Sequence, residues 1–347
     1  MLILLAVLHF WGGGADSLDR PGISKALATH RARVVRDVQY DLKLDIRQRD
    51  RAIGHVTVRF RRAASDSGDL LLDFRGPQVH GPPGVLSDGA HVRIPARLLT
   101  SGLNALEFDF VSKIAPAGTS IIRFHDATDS AEYLYTLLVP ADANALFPCF
   151  DQPDLKARVA LTLTMPRGWN AVANGKSVST DSTDSTVTTH FAQTEPISTY
   201  LIAFAAGPWT RLTTTIASRP ITLYVRTSRK TEVEGDSIIY QNGRALDWLE
   251  KYFDRPFPFQ KFDIVLAPSF PFGGMEHPGA IFYNEESFIY RERPTQVQRL
   301  GREATIFHEV AHQWFGDLVT MQWFDDLWLK EGFASYMAAV MQEALDP

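Results

Sequence analysis

From about residue 36 the chain alternates with period two. Tyr40, Leu42, Leu44 and Ile46 fall on one side, and Asp41, Lys43, Asp45 and Arg47 on the other. The pattern returns at Val56, Val58 and Phe60, at Leu106, Phe108 and Phe110, and at Val159, Leu161, Leu163 and Met165. Alternation of this kind predicts half-buried antiparallel strands. Asn174-Gly175 reads as a hairpin-turn dipeptide, residues 177–186 as a solvated Ser/Thr/Asp loop, and Tyr200 to Phe204 as a continuous apolar strand. No long helical pattern precedes residue 210, so residues 36–210 are expected to form an all-β domain.

The character changes after Pro220. Ile221, Leu223 and Val225 give one more strand, and residues 232–253 carry a helical pattern that Pro256 and Pro258 stop. Lys261 to Ala267 and Ala280 to Tyr283 read as strands on either side of a glycine-rich turn. Two helices follow, one over about 303–315 with Gly316 just past its end, the other from near Asp326 to about Leu345. A domain boundary is expected near 208–218, with a mixed domain over 215–347. The fold class is therefore α+β, and no internal repeat is visible.

Composition adds bounds rather than detail. A chain of 347 residues, 45% hydrophobic and 22% charged, is long for one core and ordinary for a globular protein. The net charge of −5 and the absence of a basic block argue against a nucleic-acid partner. Cys149 is the one cysteine, so no intrachain disulfide can form. The apolar run Leu2 to Trp11, closed by small residues, is too short to span a bilayer. Residues 1–20 read either as a signal peptide without its usual basic start or as an apolar tail. The protein is then secreted or periplasmic if residues 1–15 are a signal, and otherwise cytoplasmic. No transmembrane segment is expected.

The candidate chemistry lies at His308-Glu309-Val310-Ala311-His312, answered by Glu331. Histidines four apart on a helix project from one face, one turn apart, and can reach one tetrahedral ion. Glu309 sits beside them, able to face water at that ion without being a ligand. Residues 313–330 suffice for the chain to turn and start an antiparallel helix that brings Glu331 as third ligand. Apolar neighbours (Ala304, Ile306, Phe307, Val310, Ala311, Trp314 and Phe315) make the helix a buried one. Buried histidines and a glutamate need a partner, and a single zinc ion is the simplest.

About thirty residues upstream stands Gly273-Gly274-Met275-Glu276-His277-Pro278-Gly279. Its paired glycines allow a ligand close to the backbone, and Glu276 is an acceptor suited to an ammonium group. Alone, the segment reads equally as an ordinary glycine turn. Together with His308-Glu309-Val310-Ala311-His312-Gln313-Trp314-Phe315-Gly316 and Trp328-Leu329-Lys330-Glu331-Gly332-Phe333-Ala334, it resembles the zinc aminopeptidases of the aminopeptidase N type. These are gluzincin metallopeptidases, with a saddle-like all-β N-terminal domain and a thermolysin-like catalytic domain. Phe147-Pro148-Cys149-Phe150-Asp151-Gln152-Pro153-Asp154-Leu155-Lys156-Ala157 resembles the N-terminal domain of that family.

The resemblance implies that His308, His312 and Glu331 hold one Zn2+ and that Glu309 is the general base. It implies that Glu276 takes the free N-terminus of a peptide substrate. Gly273, Gly274, Met275, His277 and the strand from Ala280 to Tyr283 would align that substrate. Three departures accompany it. His277 stands where the family usually has Asn, and Val139 where it usually has Gln or Glu, leaving the first-residue pocket more apolar. The family's oxyanion tyrosine would fall beyond Pro347, which implies a C-terminally truncated chain and an incomplete catalytic domain. The expected function is hydrolysis of the N-terminal peptide bond. The alternative is a catalytically impaired, zinc-loaded peptide-binding module. An epoxide hydrolase on the same zinc scaffold would need pocket features absent here. Phe272, Phe282 and Tyr283 are candidates for a pocket wall or for the core.

Overall fold

The computed structural model describes residues 22–346. The segment 1–20, read as a signal or an apolar tail, lies outside the described residues. The first element is a short helix that precedes the expected β domain and that the sequence pattern does not reveal. Ser24 accepts from the amide of Leu27 (3.1 Å) and caps the helix Lys25–Val34. Its inner face is Leu27, Ala28, Arg31 and Val34, at helical spacing. One of those positions is a cation, because Arg31 is buried against both carboxylate oxygens of Asp73 (2.6 and 2.8 Å). A charge in the apolar stripe hides the helix from a hydrophobicity pattern.

The alternating segments form strands Val35–Asp45, Arg51–Arg62, Gly102–Ala115 and Ala157–Pro166. They lie side by side in an eleven-stranded sheet. Tyr40 faces Val58 across an antiparallel pair, while Leu42 faces Leu161 across a parallel one. That register sends Tyr40, Leu42, Val56, Val58, Phe108, Val159 and Leu161 into one core. The alternation is thus a faithful report of a sheet wet on its other face.

Three expectations fail around residues 174–204. Asn174-Gly175 is not a hairpin turn, because Asn170–Ala173 pairs with Phe204–Gly207 rather than with the strand that follows. Asn174 is buried and bridges segments instead. Its Nδ2 donates to the carbonyls of Leu201 and Pro278, and its Oδ1 accepts from Ala203. The polar stretch after it is an edge strand, Ser177–Ser182, which pairs with Thr186–Phe191. Edge strands can be polar on both faces, so they carry no apolar signature. The continuous strand expected from Tyr200 instead begins at Phe204, after a 3-10 turn over Thr199–Leu201.

Beyond Gly207 the pairing changes sheet. Thr210–Ile216 pairs with Arg219–Val225, and the order continues through Phe262–Ala267 and Ala280–Asn284 to a short edge strand, Gly274–Met275. Both faces of this five-stranded sheet are covered. Phe262, Ile264, Leu266, Ile281 and Tyr283 point into a core made with the helices Gly235–Phe253, Gln296–Ala311 and Leu327–Leu345. Val265, Ala267, Ala280 and Phe282 point the other way, into the core of the large sheet. Such strands read as continuous apolar runs.

The two sheets are also tied by polar contacts. The Arg226 guanidinium forks onto Glu285 and reaches Asp126 (2.5 Å) at the end of the strand Ile121–His125. Lys156 donates to the carbonyls of Asp317 (2.6 Å) and Leu318 (3.0 Å). Among the described residues no helix is long and apolar enough to cross a membrane.

Candidate metal centre and its cleft

The helix that carries His308 begins earlier than its sequence pattern suggests. Thr295 and Gln298 form a reciprocal capping box, and the helix runs Gln296–Ala311. Its first two turns are largely solvated and polar, so the apolar pattern marks only the buried C-terminal half. His312 is the C-cap, but its φ/ψ remain helical (−58°, −24°), so the one-face geometry with His308 is kept. The chain then reverses at Gly316 (φ +128°) and returns as Leu327–Leu345. Packing of those two helices brings Glu331 opposite the histidines.

The three side chains converge. His308 Nε2 and His312 Nε2 are 3.0 Å apart, and Glu331 Oε2 lies 3.3 Å from the first and 3.5 Å from the second. Ligands of a tetrahedral zinc ion at about 2.0–2.1 Å are separated by about 3.3 Å. The donor set therefore fits zinc in type and in spacing. His312 Nδ1 donates to the carbonyl of Phe315 (2.9 Å), which leaves its Nε2 as a bare acceptor aimed at the same point. Ser335 Oγ is 3.4 Å from His308 Nδ1. Burial raises the pKa of Glu331, but the two histidines and Lys330 outweigh it and hold the carboxylate far below its usual range.

Glu309 is buried and turns toward the short edge strand. The α-carbon of Gly274 lies so close that a β-carbon there would sit 2.5–2.7 Å from the Glu309 side chain. One potential ligand atom from each of Glu276, Glu309 and His312 falls within 4.8 Å of the others. Burial pushes the carboxyl of Glu309 up, helped by the negative charges of Glu276 and Glu331 and opposed by His312 and Lys330. A carboxylate so placed is poised to accept a proton.

Glu276 is buried and has a protein partner. Lys330 Nζ donates to its Oε1 and also lies 3.0 Å from Glu331 Oε1. Burial alone would raise the pKa of Glu276, but Lys330 and then His312 hold it well below the usual carboxylate range. Gln313 donates to the Glu276 carbonyl (2.8 Å), fixing the backbone there.

A cavity of about 730 Å3 opens beside these groups, lined by Gly273, Gly274, Met275, Glu276, Glu309 and both histidines among others. Val139, Pro140 and Phe272 supply apolar wall. His277, expected to contact substrate, does not line this cavity. It is fully buried against Phe282, and among the described residues neither ring nitrogen has a hydrogen-bond partner. Burial pushes its pKa down to about 3. Phe282 and Tyr283 are core residues rather than pocket wall.

The strand Ala280–Asn284 is paired along its length with Phe262–Ala267 and, at Phe282 and Tyr283, with Gly274–Met275, which forms the edge of the sheet. Sequence reasoning gave Lys330 no role. Its place next to Glu331 is visible in the sequence, but its reach to Glu276 is not.

The model described as "Peptidase family M1 domain" matches residues 239–347, and "Peptidase M1 N-terminal domain" matches residues 86–201. An aminopeptidase N of Streptomyces lividans is 33% identical over 93% of this chain and 38% of its own length. A probable aminopeptidase 1 of Sulfurisphaera tokodaii is 32% identical over 79% of this chain and 35% of its own. Human glutamyl aminopeptidase is 37% identical over 57% of this chain and 21% of its own. The chain thus spans well under half the length of the curated relatives it matches.

Proposed function

The chain belongs to peptidase family M1, and from that premise we propose that it is a zinc aminopeptidase that hydrolyses the first bond of a peptide with a free N-terminus. One observation carries the reading. A carboxylate suited to an ammonium group, Glu276, and one suited to a proton, Glu309, come within 4.8 Å of each other and of His312. A peptide amine held at Glu276 would bring the first carbonyl toward His312 and Glu309.

His308, His312 and Glu331 would hold the zinc. The ion, when bound, would polarise the scissile carbonyl and make water a better nucleophile. The rest falls to the protein. The free edge at Gly274–Met275 offers backbone groups to an extended peptide. Glu309 takes one proton from the attacking water as the oxygen adds to the carbonyl carbon, then passes it to the leaving nitrogen as the C–N bond breaks. Val139, Phe272 and Met275 offer apolar contacts to the first side chain.

The test is hydrolysis of leucine p-nitroanilide beside its N-acetylated form. Cleavage of the free amine alone is the expected result. Glu309→Gln is expected to lower turnover by about 10²- to 10⁴-fold while keeping zinc. Efficient cleavage of the acetylated compound would overturn the role of Glu276. Zinc binding without any cleavage would favour a peptide-binding module instead.

A further inference from the structure

Lys330 is a buried cation at the centre of the cleft, placed between two carboxylates with different expected tasks. Its Nζ donates to Oε1 of Glu276 and lies 3.0 Å from Oε1 of Glu331. Its ammonium also stands 5.1 Å from the centre of the buried Tyr200 ring. The side chain is 6% exposed, and that of Glu276 3%. Glu331 is therefore divided between two neighbours, with Oε2 facing the histidines and Oε1 facing the lysine. Glu276 is likewise engaged at one of its two oxygens.

Charge and geometry then act at both carboxylates. A carboxylate held by a cation at one oxygen presents the other in a set direction, so Lys330 orients Glu331 as a one-oxygen ligand. A buried carboxylate without a partner is costly, and Lys330 holds Glu276 in place while no amine is present. An incoming ammonium must then share Glu276 with Lys330 or displace it.

We propose that Lys330 is a positioning residue that orients the metal ligand Glu331 and, through the same ammonium, competes with the substrate amine for Glu276. The proposal rests on the zinc and amine assignments made above. It predicts opposite effects at the two sites when the charge is removed. Loss of a group that orients a metal ligand lowers metal affinity by about 10- to 100-fold. Loss of the competing cation strengthens amine binding.

The experiment uses the full chain and the variants Lys330→Met and Lys330→Gln. Zinc affinity is measured by competition with a chromophoric chelator. At saturating zinc, binding of phenethylamine and of N-acetylphenethylamine is measured by calorimetry. Both variants are expected to bind zinc about 10- to 100-fold more weakly and phenethylamine several-fold more tightly, with no change for the acetylated compound. A variant merely damaged in packing would weaken both ligands. Zinc affinity within twofold of the parent in both variants, or amine affinity that is unchanged or weaker, overturns the proposal. If Lys330→Met does not fold, Lys330→Gln decides alone, since it keeps a hydrogen-bond donor and removes the charge. A parent chain that binds no zinc overturns the metal assignment itself, which separates that failure from a failure of Lys330.

Discussion

Gly274 and Glu309 touch so closely that only glycine fits between them. A β-carbon on Gly274 would lie 2.5 Å from Cγ and 2.6 Å from Oε1 of Glu309. The glycine's φ lies outside the left-handed region, so the requirement is space rather than backbone freedom. Gly274→Ala should therefore fold normally and push the carboxylate away from His312. A displacement of about 1 Å in a reacting group costs roughly 100-fold in rate. The expected result is a large fall in kcat with zinc content unchanged. Parental kcat in the Gly274→Ala variant would show that the position of Glu309 does not matter.

The metal site should couple to stability. His308 and His312 lie on one element and Glu331 on another, so an ion held by all three favours the folded state. Zinc at a hundred times its Kd adds about 2.7 kcal/mol. Chelation should lower Tm by several degrees, zinc should restore it, and His312→Ala should be insensitive to both. Calorimetric scans with and without chelator decide this.

Arg226 joins the two sheets from a nearly buried position, between Asp126 on one side and Glu285 on the other. Removing it takes the cation from buried Asp126 and leaves Glu285 to Arg229 alone, which costs about 3–5 kcal/mol. Arg226→Met should lower the unfolding midpoint in urea accordingly. Arg226→Lys should recover only part, because an ammonium cannot fork onto Glu285. Equal midpoints for the parent and Arg226→Met would refute the tie.

Asp151 gives the fold a pH dependence remote from the cleft. Burial raises its pKa to about 6, although hydrogen bonds from Thr199 and Asn144 work against that. A raised native pKa means the unfolded chain loses its proton first. The contribution of Asp151 is therefore full below about pH 4 and falls as pH climbs through 6, by about 3 kcal/mol for a two-unit shift. Asn at this position keeps an oxygen for Asn144, and the Thr199 hydroxyl can turn to accept. Asp151→Asn should flatten the stability curve between pH 4 and 6, measured on the metal-free protein by urea unfolding. A slope identical to that of the parent would exclude the effect.

Much of the centre was legible because its groups are close in sequence. The spacing of His308 and His312 is a property of one helix turn, and the period-two runs at Tyr40 and Val159 report a sheet with one wet face. Where that logic failed, a particular residue broke it. Arg31 interrupts the apolar stripe of the first helix, the edge strand Ser177–Ser182 has no buried face to reveal it, and Asn174 bridges Leu201 and Pro278 instead of turning a hairpin.

The order of residues along the chain dictates the one-face spacing of His308 and His312, the carboxyl group of Glu309 beside them and the alternating strands, since each depends on neighbours within a turn or a pleat. Packing in three dimensions settles the approach of Gly274 to Glu309, the burial of His277 away from the cleft, and the contact of Lys330 with Glu276. Residues 54 apart in the chain meet at that contact. No local periodicity encodes such a meeting, because it is set by how two helices and a sheet edge pack.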